Sequence, residues 1–121
     1  MRLSILITFA SLVFLYSCIN ENSNPIIAAG QMPNVVKDNS GGLHLVYGNG
    51  DSILYCYSSD HGNTFTHPFL ISVLPKLADS HMRGPQIAAT LNGLAVTACN
   101  DLGDIFTFVK DQSGKWSQTA R

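Results

Sequence analysis

The chain has 121 residues, 45% hydrophobic and 12% charged, with a formal net charge of −1. Seven Lys+Arg cannot build the basic surface that nucleic-acid binding needs, so that partner is excluded. The apolar fraction is ordinary for a globular protein, which excludes wholesale disorder.

Arg2 opens the chain as a positive n-region, and Leu3 to Tyr16 is an uncharged, mostly apolar run. As a helix that run spans roughly 21 Å, short of a ~30 Å hydrocarbon core, so it reads as an export signal and not a membrane span. Leu15-Tyr16-Ser17-Cys18 resembles a bacterial lipobox, which implies cleavage after residue 17, lipidation of Cys18 and an exported, membrane-anchored lipoprotein. Residues 18–32, rich in Asn and small side chains, read as a flexible tether. Cys56 and Cys99 then remain, and their spacing leaves open whether they pair or stay as free thiols.

From Pro33 onward short alternating runs between turn signals predict an all-β fold. Val35-Val36 forms a first run, closed by Asp38-Asn39-Ser40-Gly41-Gly42. Leu43, Leu45 and Tyr47 alternate in the second, and Asn49-Gly50 predicts a type I′ hairpin. Ile53, Tyr55 and Tyr57 alternate in the third, which leads through a polar turn, Ser58 to Asn63, into Phe65–Ser72. Pro68 cannot donate to a ladder, which puts that fourth run at a sheet edge.

The pattern then repeats. Pro33 matches Pro85 and Ile53 matches Ile105 at an offset of 52, while Leu43 matches Leu94 and Leu45 matches Val96 at 51. A four-stranded antiparallel unit recurring near this period is the signature of a β-propeller blade. Residues 33–84 read as one blade and 85–121 as a second, incomplete one, stopping where its outer strand should begin. Two blades cannot close a ring, so the expectation is the N-terminal part of a longer or incomplete protein.

Ser58-Ser59-Asp60-His61-Gly62-Asn63-Thr64-Phe65 resembles the Asp-box, or BNR repeat, of the sialidase (neuraminidase) superfamily at every fixed position: Ser58, Asp60, Gly62, Thr64 and Phe65. The resemblance implies a structural turn between the third and fourth strands of a blade, away from the catalytic face. Lys110 to Trp116 keeps only the glycine and the aromatic of that motif, one residue shorter. Arg83-Gly84-Pro85 resembles the Arg-Ile-Pro segment of sialidases, with Gly84 in place of the aliphatic residue. There the arginine grips the sialic-acid carboxylate, a task suited to a planar, always charged guanidinium.

By the same resemblance Asp101 or Asp104 stands where the acid/base aspartate is expected, although Asn100-Asp101-Leu102-Gly103-Asp104 also reads as an ordinary turn. Sialidases use a tyrosine nucleophile, activated in the family by a glutamate. The only glutamate here is Glu21, in the tether, and beyond the signal only Arg83 and Arg121 remain against the family's three arginines. Tyr47, Tyr55 and Tyr57 read as packing residues. The four histidines (His44, His61, His67, His81) show no metal-ligand spacing, and Asp60 lacks the ligand pattern of an EF-hand, so neither metal nor cofactor is expected. The expected function is an exported, lipid-anchored, sialidase-like glycan-processing propeller with an incomplete catalytic set. Its alternative is a non-catalytic BNR-repeat propeller that binds glycan or protein at the cell surface.

Overall fold

The computed structural model describes residues 27–121; the expected export signal, Cys18 and most of the expected tether lie outside them. The described residues form eight strands and no helix: β1 (Gln31–Lys37), β2 (Leu43–Asn49), β3 (Ser52–Ser58), β4 (Phe69–Val73), β5 (Gln86–Thr90), β6 (Gly93–Cys99), β7 (Ile105–Lys110) and β8 (Trp116–Ala120). They make two antiparallel four-stranded sheets in sequential order, β1-β2-β3-β4 and β5-β6-β7-β8. The second sheet is therefore complete in its four strands, because Trp116–Ala120 pairs along β7. A run of mostly small polar residues carried too little apolar signal to be read as a strand.

Two local expectations shift. Asn49 pairs with Ser52, so the β2–β3 turn is Gly50-Asp51 and not Asn49-Gly50. Only Gly50 of that pair has positive φ (56°), the demand of a type II′ turn rather than I′. Pro33 lies inside β1 at a register irregularity between Gln31 and Asn34, where its missing N–H breaks no ladder. Pro68 immediately precedes edge strand β4, as its lost donor requires.

The sheets pack face to face over one core. The first contributes Val46, Ile53 and Tyr55, and the second Ile87, Leu94, Val96, Ala98, Phe106 and Phe108. On the other face of the first sheet Leu45, Tyr47 and Cys56 form a second cluster with Leu54 and Phe65. Because side chains alternate along a strand, each sheet has an inner face toward its neighbour and an outer face away from it.

The repeat does not map inner onto inner. Leu45 and Cys56 are cross-strand partners on the outer face of the first sheet; their equivalents Val96 and Phe108 are cross-strand partners on the inner face of the second. Tyr47–Leu54 and Ala98–Phe106 correspond in the same way. Hence Ile53 is fully buried while its repeat partner Ile105 is 62% exposed. One sheet's front rests on the other sheet's back, a head-to-tail stacking and not a two-fold sandwich.

The cysteines now separate. Cys56 belongs to the outer cluster of the first sheet, while Cys99, opposite the exposed Ile105, lies on the outer face of the second. Two sheet thicknesses stand between them, far beyond disulfide reach, and both are free thiols.

Candidate functional site

The two ends of the stacked sheets are built differently. One end gathers the β1–β2, β3–β4, β5–β6 and β7–β8 turns, and the other gathers the β2–β3 turn, the β4–β5 connection and the β6–β7 turn.

At the first end the Ser58–Phe65 turn closes on itself. The Ser58 hydroxyl donates to Asp60 Oδ1 at 2.8 Å, and the Gly62 N–H donates to Ser58 Oγ at 2.8 Å. Thr64 donates its N–H to Asp60 Oδ1 (2.9 Å) and its hydroxyl to Oδ2 (2.6 Å). His61 and Gly62 both take positive φ (60° and 93°), which glycine adopts freely. Phe65 then packs beside the outer cluster of the first sheet. Asp60 is occupied entirely by its own turn.

Three further turns share a five-residue construction that the sequence reading did not separate from the Asp-box. At Asp38, Asn100 and Asp111 the side-chain oxygen accepts the N–H four residues on, from Gly42, Asp104 and Lys115. Each has a glycine at positive φ in its fourth position: Gly41, Gly103 and Gly114. Lys110 to Trp116 thus contains the same Asx turn as Asp38.

These contacts lower carboxylate pKa values. The Thr64 hydroxyl and N–H, with the Ser58 hydroxyl, bring Asp60 from 3.8 to about 2. Asp38 is lowered chiefly by His44, Asp104 by Arg121 and Asn100, and Asp111 by Ser113 and Lys115. A lowered folded pKa contributes stability that is fully present above the unfolded value and is lost as pH falls through the folded one. Unfolding midpoints followed against pH should therefore decline from just below 4 toward 2, the range between the ordinary and the shifted value of Asp60. Asp60→Asn should flatten that decline; an unchanged acid profile would contradict the role of the turn.

Between the sheets at this end runs a polar chain. Asp38 Oδ2 meets His44 Nε2 at 2.9 Å, and His44 Nδ1 meets the Tyr55 hydroxyl at 2.7 Å. Lys110 Nζ lies 3.5 Å from that hydroxyl and 4.7 Å above the ring centroid. Asp38 only accepts and Lys110 only donates. In the tautomer that carries its proton on Nε2, His44 donates to Asp38 and the Tyr55 hydroxyl donates to Nδ1. Burial pushes Tyr55 up to about 12, so the phenol stays protonated and serves as a tie between sheets.

The sequence-predicted site residues lie at the other end. Arg83 is exposed on the β4–β5 connection, its N–H donating to the Ser80 carbonyl at 3.0 Å. Gly84 stands where the resembling segment has an aliphatic residue because a Cβ there would collide with Met32. Three of the five non-glycine residues with positive φ (Lys76, His81 and Met82) fall on this same connection. Strain of this kind collects at functional loops.

The connection is stitched to the β6–β7 turn. The Ala78 N–H donates to the Cys99 carbonyl and the Asp101 N–H to the Lys76 carbonyl, each at 2.9 Å. Asp101 is exposed at that turn. Asp104 accepts from Arg121 Nη2 at 3.0 Å and from Asn100 Nδ2 at 3.2 Å. Asp104 is thereby held ionised, the opposite of what a general acid near neutral pH needs.

A cleft of about 440 Å³ opens beside this turn, with Lys76, Asn100, Gln118 and Arg121 around Phe106 and Phe108. Arg83 is not among the residues that line this cleft. Lys76 and Arg121 were missed as site residues; the signal available was Lys76 following Leu74-Pro75 in an otherwise apolar stretch. Among the described residues no cluster of three or more His, Cys, Asp or Glu is placed to hold a metal ion. No family model, curated protein or solved structure matches the chain.

Proposed function

We propose that the two sheets are neighbouring blades of an Asp-box propeller of the sialidase superfamily, exported and membrane-anchored through lipidated Cys18, with glycans as its ligands. The observation that carries this reading is the head-to-tail stacking. Equivalent faces would meet in a two-fold sandwich, whereas a propeller sets each blade's front on the back of the next. The glycan-facing end is the one built from Arg83, Lys76 and Asp101, because the Asp-box end is consumed by its own hydrogen bonds.

Within these residues the chain binds and does not hydrolyse. Glu21 is the only glutamate. The Tyr55 phenol is buried against Trp116 and His44. Asp104 paired with Arg121 favours the reading of a non-catalytic glycan-binding propeller over that of a sialidase-like hydrolase.

Titrating sialyllactose at millimolar concentration into the ¹⁵N-labelled chain tests the assignment. The expected result is amide shifts at Lys76, Arg83 and Asp101, none at Ser58–Phe65, and no release of fluorophore from a fluorogenic sialoside. Silence at the Arg83 end would overturn the glycan assignment. Turnover lost on Arg83→Ala would overturn the non-catalytic one.

A further inference from the structure

The polar chain Asp38–His44–Tyr55–Lys110 joins titratable groups of both sheets, and one of its bonds depends on the charge of His44. His44 is buried (8% exposed). Within its own sheet it faces Asp38 of the β1–β2 turn at 2.9 Å and the Tyr55 hydroxyl at 2.7 Å. The Tyr57 ring lies against it, with 4.9 Å between centroids, and Lys37 and His61 stand around Gly41 of the same turn. From the second sheet Lys110 of β7 reaches the Tyr55 oxygen. Asp111 lines, together with Asp38, His44 and Lys110, a cleft of about 370 Å³ between the sheets. The residues of β5 and β6 that line this cleft are uncharged.

An ionised carboxylate only accepts, so His44 Nε2 donates to Asp38 when the ring carries its proton there and also when the ring is charged. Nδ1 accepts from the Tyr55 hydroxyl in that neutral tautomer and must donate in the charged ring. Protonation therefore reverses the 2.7 Å bond and makes the Tyr55 oxygen its acceptor. The phenol keeps its own proton, because burial pushes Tyr55 up to about 12. That proton then lacks an acceptor, since Lys110, the other group at this oxygen, only donates. Two positive charges also converge on one buried oxygen, and a buried hydroxyl proton without a partner is costly.

Lys110 is the member placed to leave. Its Nζ is 3.5 Å from the oxygen, the longest contact in the chain, and the residue is only half-buried. Trp116, opposite Lys110 in the β7–β8 ladder, meets the Tyr55 ring edge-on at 5.5 Å. Lys110 and Trp116 together are the second sheet's grip on Tyr55.

We propose that this chain is an acid-sensitive latch: protonation of His44 reverses its bond to Tyr55, unseats Lys110 from the phenol and widens the cleft between the sheets at this end. The shared core of Val46, Ile53, Val96 and Phe108 stays closed, so the change is a local opening and not unfolding. The latch lies at the opposite end from Arg83 and needs neither a glycan nor the propeller reading.

NMR of the labelled chain between about pH 8 and 5, the range in which histidines change charge, tests this. The His44 ring carbons report its charge. The Lys110 side-chain protons report the latch through the ring-current shift imposed by the Tyr55 face, 4.7 Å below Nζ, and the Trp116 indole N–H reports it independently. As His44 charges, the Lys110 shift should be lost and the Trp116 signal should move with the same midpoint. Tyr55→Phe keeps the buried ring without the hydroxyl, so His44 should still titrate while Lys110 and Trp116 no longer follow it. Lys110→Met removes the opposing cation and should move the His44 midpoint to higher pH. His61→Gln should leave the whole response in place. Lys110 and Trp116 signals that stay still while His44 charges would overturn the latch. So would a response that persists in Tyr55→Phe, or a His44 ring that keeps one charge state throughout.

Discussion

Ile53→Ala should unfold both sheets together. Ile53 is fully buried where the first sheet meets the second, in one cluster with Val96, Phe106 and Phe108. Truncating a buried isoleucine costs about 2–5 kcal/mol, because the lost contacts are joined by a cavity that neighbours only partly fill. A small domain has roughly 5–15 kcal/mol in total, so the change removes a large share of the stability. Denaturant titration followed at Trp116, on the second sheet, should show a much lower midpoint in a single transition. If the second sheet kept its midpoint while the first melted, the two would not share a core. Ile105→Ala, the repeat-equivalent change, should be mild in the single chain because Ile105 is 62% exposed.

That contrast also marks the limit of what the sequence alone conveys. The strands β1–β3 and a tight turn at Ser58–Phe65 were legible, since each rests on local alternation or on fixed spacing. Which face of a strand turns inward was not. Alternation in Leu43, Leu45 and Tyr47 is matched by burial of His44 and Val46 on the opposite face, because the first sheet is covered on both sides. A sheet buried on both faces loses the in–out pattern that sets its parity.

Long-range polar contacts were hidden for a different reason. The tie among His44, Tyr55 and Lys110 joins residues up to 55 positions apart, and nothing in the spacing of a lone histidine or lysine announces it. The three Asx turns, by contrast, were present in the sequence as Asp38…Gly41, Asn100…Gly103 and Asp111…Gly114. What they share is an Asx residue followed three positions on by a glycine at positive φ, and the φ is not visible in the sequence. Arg83, Asp101 and Asp104 do fall at one end, but the partner that holds Asp104 is Arg121, which no local motif indicates.

The proposed division of labour between the two ends predicts opposite outcomes for two substitutions. Asp60 accepts from the Ser58 hydroxyl and from the N–H and hydroxyl of Thr64, so Asp60→Ala leaves those donors without their acceptor and loosens the β3–β4 turn. It should lower the melting temperature by several degrees and leave glycan binding by the folded protein unchanged. Arg83 is exposed and its side chain has no partner among the described hydrogen bonds and ion pairs, so Arg83→Ala should barely move the melting temperature. Under the proposed glycan reading it should also remove a charge-assisted contact to the ligand carboxylate, worth about 1.5–3 kcal/mol, or at least tenfold in affinity.

Melting temperature and sialyllactose affinity measured side by side on the two variants is the most direct test of this placement. Lower stability with intact binding for Asp60→Ala, and intact stability with weakened binding for Arg83→Ala, is the result predicted here. Loss of binding without loss of stability in Asp60→Ala would move the ligand site to the Asp-box end and contradict the account.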